Sequence, residues 1–124
     1  MKEFNSEAEE LAWFVGLVEG EGSFNVYTNS GRWQRSRFEI NMTDRDVIDR
    51  AANLLSSWGI IINKILVKNN KGRDGRVTSI AYSIQVGKSS DVKVIIDKTY
   101  QYYSEKKQSD CDRVLKNLAD RGLL

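Results

Sequence analysis

Leu11-Ala12-Trp13-Phe14-Val15-Gly16-Leu17-Val18-Glu19-Gly20-Glu21-Gly22-Ser23-Phe24 reads as a helix with small residues along one stripe and two carboxylates at its end. Ala12, Gly16 and Gly20 recur at four-residue intervals, so a helix stacks them on one face. Leu11, Phe14, Val15 and Val18 fall on another face and can enter a core. Glycine inside a helix costs about 1 kcal/mol relative to alanine. Two on one stripe imply that another backbone approaches closely there. Glu19 and Glu21 lie at the negative end of the helix dipole, where each acid is disfavoured by roughly 0.3–1 kcal/mol. A cation reverses that penalty, and carboxylate plus free carbonyl oxygen suits Mg²⁺ or Ca²⁺.

The segment from Phe14 to Gly22, followed by Ser23-Phe24, resembles the LAGLIDADG motif of homing endonucleases. It has the inner glycine, both acids, the small residue between them and the closing Gly-Ser-Phe, with Glu at both positions where the family name shows Asp. The resemblance implies that two such helices pack through Ala12, Gly16 and Gly20. It also implies that Glu21 ligates the metal with help from the Gly20 carbonyl. Glu19 joins Glu21 and Lys107 among the candidate catalytic residues, and the resemblance implies that it serves the helix junction.

Outward from the motif, Ser6-x-x-Glu9 resembles a capping box, which starts the helix at Glu7, and Gly20 and Gly22 are expected to end it near residue 20. Ser23–Asn29 and Trp33–Met42 read as two strands around a Ser30-Gly31 turn. Thr43-x-x-Asp46 offers a cap for a helix from Asp44 to about Ser57, with Gly59 as its stop. Ile60–Asn69 is expected as a third strand and Arg76–Val86 as a fourth, with Ile80, Tyr82, Ile84 and Val86 alternating. A helix capped by Ser89 or Ser90 runs to about Tyr103, and a last one spans Ser109–Arg121. The expected fold class is α+β, in the order αββαββα plus a C-terminal helix, with the four strands in one antiparallel sheet. That order matches the LAGLIDADG core and places residues 1–124 in one domain. Phe38 to Ile48 also resembles the strand-to-helix junction of single-motif, phage-type members.

Period-two alternation sorts these strands into two faces. Phe24, Phe38, Ile40, Tyr82 and Ile84 should pack on the helices. The other face carries Asn25, Tyr27 and Asn29, then Trp33, Arg35, Arg37 and Glu39, then Lys64 and Lys68, then Ser79, Ser83 and Gln85. Arginine pairs with guanine edges, and Asn or Gln with adenine, so this face has the chemistry of major-groove readout. Arg32, Arg73 and Arg76 sit in turns suited to phosphate contacts. Charge is unevenly spread: residues 1–28 balance to −5, residues 29–76 to +5 and the remainder to +2. A basic stretch within strand-like sequence points to a polyanion.

The chain has no histidine and one cysteine, Cys111. This excludes a Ser-His-Asp triad, an HNH-type nuclease, a His-containing zinc site and a zinc knuckle. A lone cysteine, no apolar run of membrane-spanning length and no apolar secretory core after Met1 lead to the expectation of an intracellular, non-secreted protein without a membrane partner.

The resemblance implies a sequence-specific double-strand DNA endonuclease of the homing type, from a phage or intron context. With one motif per chain, the enzyme would act as a homodimer on a long pseudo-palindromic site. Mg²⁺ would serve hydrolysis, and Ca²⁺ would permit binding without efficient cleavage. A basic residue near the scissile phosphate is implied within Ser104–Gln108, first Lys107 and then Lys106. Many members end the second strand with a polar residue that orients water; here Met42 stands there, with Asn41 and Asp44 beside it. The alternatives are a non-cleaving DNA-binding protein of the same fold and an RNA-binding intron maturase.

Overall fold

The computed structural model describes residues 2–29 and 33–124, with the side chains of Asn29 and Trp33 outside the description. The elements are α1 (Glu7–Glu21), β1 (Gly22–Asn29), β2 (Trp33–Met42), α2 (Arg45–Ser57), β3 (Leu66–Lys71), β4 (Val77–Val86), α3 (Ser89–Thr99), a 3₁₀ turn (Tyr100–Tyr102) and α4 (Glu105–Asp120). The strands form one antiparallel sheet in the order β1-β2-β4-β3. The αββαββα order and the additional final helix are as expected; the Ser30-Gly31 turn lies outside the described residues.

Ser6 caps α1, its Oγ accepting the Glu9 N–H at 3.1 Å, while the Glu9 carboxylate bonds Asn5 instead of closing the reciprocal box. Gly20 does not stop the helix, which runs on to Glu21. Gly22 sets the exit by sterics: a Cβ there would lie 2.8 Å from Val18 Cγ1 and 2.9 Å from Val18 Cα. The chain therefore passes from helix into β1 with no loop between the acid end and the sheet.

The register keeps the two sheet faces apart. Phe24 pairs with Phe38, Phe38 with Val86 and Ile40 with Ile84, all buried beneath the helices. Phe14 of α1 meets Phe38 at a ring-centroid distance of 6.2 Å and Trp58 edge-on at 5.3 Å, and Phe24 meets Phe38 at 5.0 Å. Ile48, Leu55, Ile95, Ile96, Val114 and Leu118 complete the core from the other helices. A buried polar link pins α4 to β2. Ser36 Oγ donates to Asn117 Oδ1 at 2.7 Å, and Asn117 Nδ2 donates to the Gln34 carbonyl at 3.3 Å.

Five boundaries depart from the sequence expectation. Residues 60–65 are not strand: Gly59 turns at φ 82, and the Ile60 N–H bonds back to the Leu55 carbonyl. That segment carries the chain from α2 to the far side of β4, so only Leu66–Lys71 pairs. Asp44, not Thr43, occupies the cap of α2. Lys88 precedes α3 as its cap, its carbonyl accepting from Asp91 and Val92. Thr99 Oγ1 bonds the Ile95 carbonyl at 2.6 Å at the end of α3, and the chain tightens to the 3₁₀ turn before buried Tyr103. α4 begins at Glu105, four residues earlier than expected, because Ser104 caps it. Among the described residues no helix is long and apolar enough to cross a membrane.

Cys111 is fully enclosed, and its thiol is pushed up to about 12, first by burial and then by Asp110 and Asp112. Burial also raises the Tyr103 hydroxyl. Above the thiol's unfolded pKa of roughly 8.5, the unfolded chain loses a proton that the folded chain keeps. Stability therefore falls as pH rises from about 9 towards 12. Urea melts across that range should show the decline, and Cys111→Ala should make it shallower.

Candidate functional site

The two acids of α1 end in different situations. Glu19 faces the start of α4, where its carboxylate accepts the Ser104 N–H and, at 3.1 Å, the Ser104 hydroxyl. The acid that opposes the dipole of its own helix thus sits at the favourable end of another. Ser104 Oγ also accepts the Lys107 N–H at 3.2 Å, closing the cap of α4. These bonds leave the Glu19 carboxylate committed within the fold. Glu19→Ala should cost about 1 kcal/mol in a denaturation curve, as loss of a helix cap does. Glu19→Gln keeps an oxygen acceptor and should recover part of that loss.

Glu21 is exposed, and among the described residues it has no hydrogen bond or ion pair. It is the last residue of α1, beside a final helical turn whose carbonyls, that of Gly20 included, lack partners further along the helix. Lys107 Nζ donates to the Gly22 carbonyl at 2.7 Å, which fixes an ammonium one residue from Glu21. Lys107 lies in the first turn of α4, not in a segment before it, and Lys106 is exposed. Among the described residues no three acidic or cysteine ligands cluster. The Glu21 carboxylate and the Gly20 carbonyl are oxygen donors of the kind that hard cations take.

Ala12, Gly16 and Gly20 are exposed along α1, and a Cβ on either glycine would meet nothing within 4 Å. Packing inside this chain does not require them to be glycine. Beside them, Ala8, Leu11, Ala12, Val15 and Tyr102 line a groove of about 320 Å³, poor in polar surface.

The sheet face away from the helices carries Ser23, Asn25 and Tyr27 on β1, Arg35, Arg37, Glu39 and Asn41 on β2, Lys68 and Asn70 on β3, and Ser79, Ser83 and Gln85 on β4. The register places Asn25 opposite Arg37, Tyr27 opposite Arg35 and Asn29 opposite Trp33. Arg73 and Arg76 are exposed around the β3–β4 turn, where Asp74 lies 3.5 Å from Arg76 Nε. Arg32 lies outside the described residues.

Two expectations need correction here. Lys64 lies in the segment before β3, so it has no place in the sheet register. Ser83 has the expected phase but is buried between the neighbouring Asn41 and Leu66 positions, and its Oγ is enclosed with no partner among the described residues. A small side chain in an inner strand is shielded by its flanking neighbours, so phase alone does not make it accessible. Met42 packs against the core, and the polar group at that end of β2 is Asn41, whose Nδ2 donates to Glu39 Oε1 at 2.6 Å. Asn41 and Asn70 are additional members of the polar face. Extending the alternation of Arg37 and Glu39 reaches Asn41; Asn70 is concealed by a composition that reads as turn. Its Nδ2 bonds Ser79 Oγ at 2.9 Å.

No protein-family model and no curated protein matches the chain. Solved structures do. The archaeal intron-encoded homing endonuclease I-Vdi141I, complexed with DNA, superposes with a TM-score of 0.59 at 18% identity, over 86% of this chain and 65% of its own. The homing endonuclease I-TnaI gives 0.58 at 21% identity, over 90% and 74%. The LAGLIDADG meganuclease I-AabMI, bound to uncleaved DNA, gives 0.54 at 20% identity, over 77% and 31%. The chain thus spans just under two thirds of the first and under a third of the last. The helix order, the sheet and the acid-terminated α1 together establish that this chain has the LAGLIDADG homing-endonuclease fold.

Proposed function

We propose that the protein is a homodimeric, sequence-specific DNA endonuclease that hydrolyses phosphodiester bonds with a divalent metal. The observation that carries this reading is the contrast between the two motif acids. Glu19 is held by Ser104, whereas Glu21 is exposed and unpaired among the described residues, at a helix end that disfavours it. A solvated surface acid needs no such placement, and a ligand for a hard cation does.

Glu21 and the Gly20 carbonyl would hold the ion, with Mg²⁺ as the working metal. When bound there, it supplies water activation and neutralises charge on the phosphate and leaving oxygen. Lys107, tethered to the Gly22 carbonyl, presents a positive charge to the same phosphate. Packing of two α1 stripes through Ala12, Gly16 and Gly20 brings two Glu21 carboxylates together at a two-fold axis. Two sheets related by that axis would read a pseudo-palindromic site. I-Vdi141I and I-AabMI, which share the fold, are described with DNA, and this supports duplex DNA over RNA as the ligand.

Selection of bound sequences from random duplex DNA in Ca²⁺, followed by incubation of the recovered duplex in Mg²⁺, tests the reading. A long pseudo-palindrome that is then cut on both strands is the expected result. A selected site that is bound and never cut would identify a DNA-binding protein of this fold. Recovery of no preferred duplex would remove DNA recognition altogether.

A further inference from the structure

Among the candidate base-reading side chains, Arg37 is held differently from the others. Its guanidinium carbon lies 4.9 Å from the ring centroid of Tyr27, a cation–π geometry. Its Nε lies 3.4 Å from Glu39 Oε2, and Nε itself is enclosed, with no hydrogen-bond partner among the described residues. The whole side chain is 34% exposed. Its two terminal nitrogens are neither enclosed nor hydrogen-bonded among the described residues. Glu39 is only 17% exposed and is held from its other side by Asn41 Nδ2 at 2.6 Å. By contrast, Arg35 and Lys68 are exposed and have no ion pair or ring contact among the described residues.

A carboxylate on a polyanion-binding face repels phosphate, so its presence needs a cause. Here Glu39 is shielded, and its oxygens are engaged by Arg37 and Asn41. The arginine loses little further rotamer freedom on binding, because a ring and a carboxylate already restrain it. What stays open is the planar fork, whose geometry matches O6 and N7 of guanine.

Resting on the proposed function, we infer that Arg37, braced by Tyr27 and Glu39, reads one guanine in each half-site. Glu39 acts as a positioning residue for that contact and is not itself a base reader. Arg35 and Lys68, without a brace, contribute charge and weaker preference.

The test compares the sequences selected from random duplex DNA by the wild-type chain and by Arg37→Ala, Arg37→Lys and Glu39→Gln. The wild type should show guanine at one symmetry-related pair of positions. Arg37→Ala should lose about 10- to 100-fold of preference there, with the remaining positions unchanged. Arg37→Lys keeps the charge and should keep affinity for non-specific duplex, but it lacks the fork and should lose the same preference; it carries the test if the alanine variant fails to fold. Glu39→Gln should weaken discrimination at that position without abolishing it. If both arginine variants select the wild-type guanine unchanged, the inference is overturned, and the trio is only a brace on the sheet surface. If the wild type selects no sequence, the proposed function fails first and takes this inference with it.

Discussion

Glu21→Gln should abolish strand cleavage in Mg²⁺ while leaving duplex affinity in Ca²⁺ within a few-fold of wild type. The substitution keeps size and hydrogen bonding and removes the anionic oxygen. Glu21 has no partner among the described residues, so the fold loses nothing, and the melting temperature should stay level or rise as an acid leaves a helix C-terminus. Metal-based activation is worth several kcal/mol, and each 1.36 kcal/mol is tenfold in rate, so a loss on the order of 10³-fold or more is expected. The matching Glu19 substitution should act through stability, because Glu19 is spent on Ser104. Cleavage surviving in the Glu21 variant would mean that the metal is held elsewhere.

Gly16→Leu should convert the protein to a monomer and remove cleavage with it, while the single chain remains folded. The space that a Cβ would enter at Gly16 is empty in the single chain, so a larger side chain meets no obstacle there. In a pair of α1 helices packed through Ala12, Gly16 and Gly20, the same side chain would separate the two backbones. Sedimentation of wild type and variant reads the difference directly. A companion Gly16→Ala variant gains helix propensity and should stabilise the isolated chain by up to about 1 kcal/mol, at the expense of dimer affinity. A Gly16→Leu protein that stays dimeric and active would place the two-fold contact on another surface.

Glu21 and Gly16 are both legible in the amino-acid sequence. The intervals of the small stripe and the paired acids are local features, fixed by helical periodicity. Alternation along β1, β2 and β4 likewise separates Phe24, Phe38, Ile40 and Ile84 from Asn25, Arg35, Arg37 and Glu39, because a pleated strand leaves a side chain only two directions. Local signals fail where two compete. The last helix, read as Ser109–Arg121, begins at Glu105 in the structure, because Ser104 caps it while Glu19 bonds Ser104 from another helix. Ile60-Ile61-Ile62 looks like strand, yet the chain spends it crossing to the outer edge of the sheet.

By itself, the sequence determined the α+β order, the two faces of the sheet and the small-residue stripe of Ala12, Gly16 and Gly20. All of these follow from side-chain periods of 3.6 and 2 along a single element. Only the tertiary structure decided that Ser104 is the group that holds Glu19, that Lys107 reaches the Gly22 carbonyl, that Ser83 is covered, and that Arg37 is braced while Arg35 is not. Each of those depends on a group brought from another part of the chain: Ser104 to Glu19, Lys107 to Gly22, Asn41 and Leu66 beside Ser83, Tyr27 beneath Arg37. Hydrogen bonds, enclosure and ring contacts act over a few ångströms of space, and sequence separation carries no record of that distance.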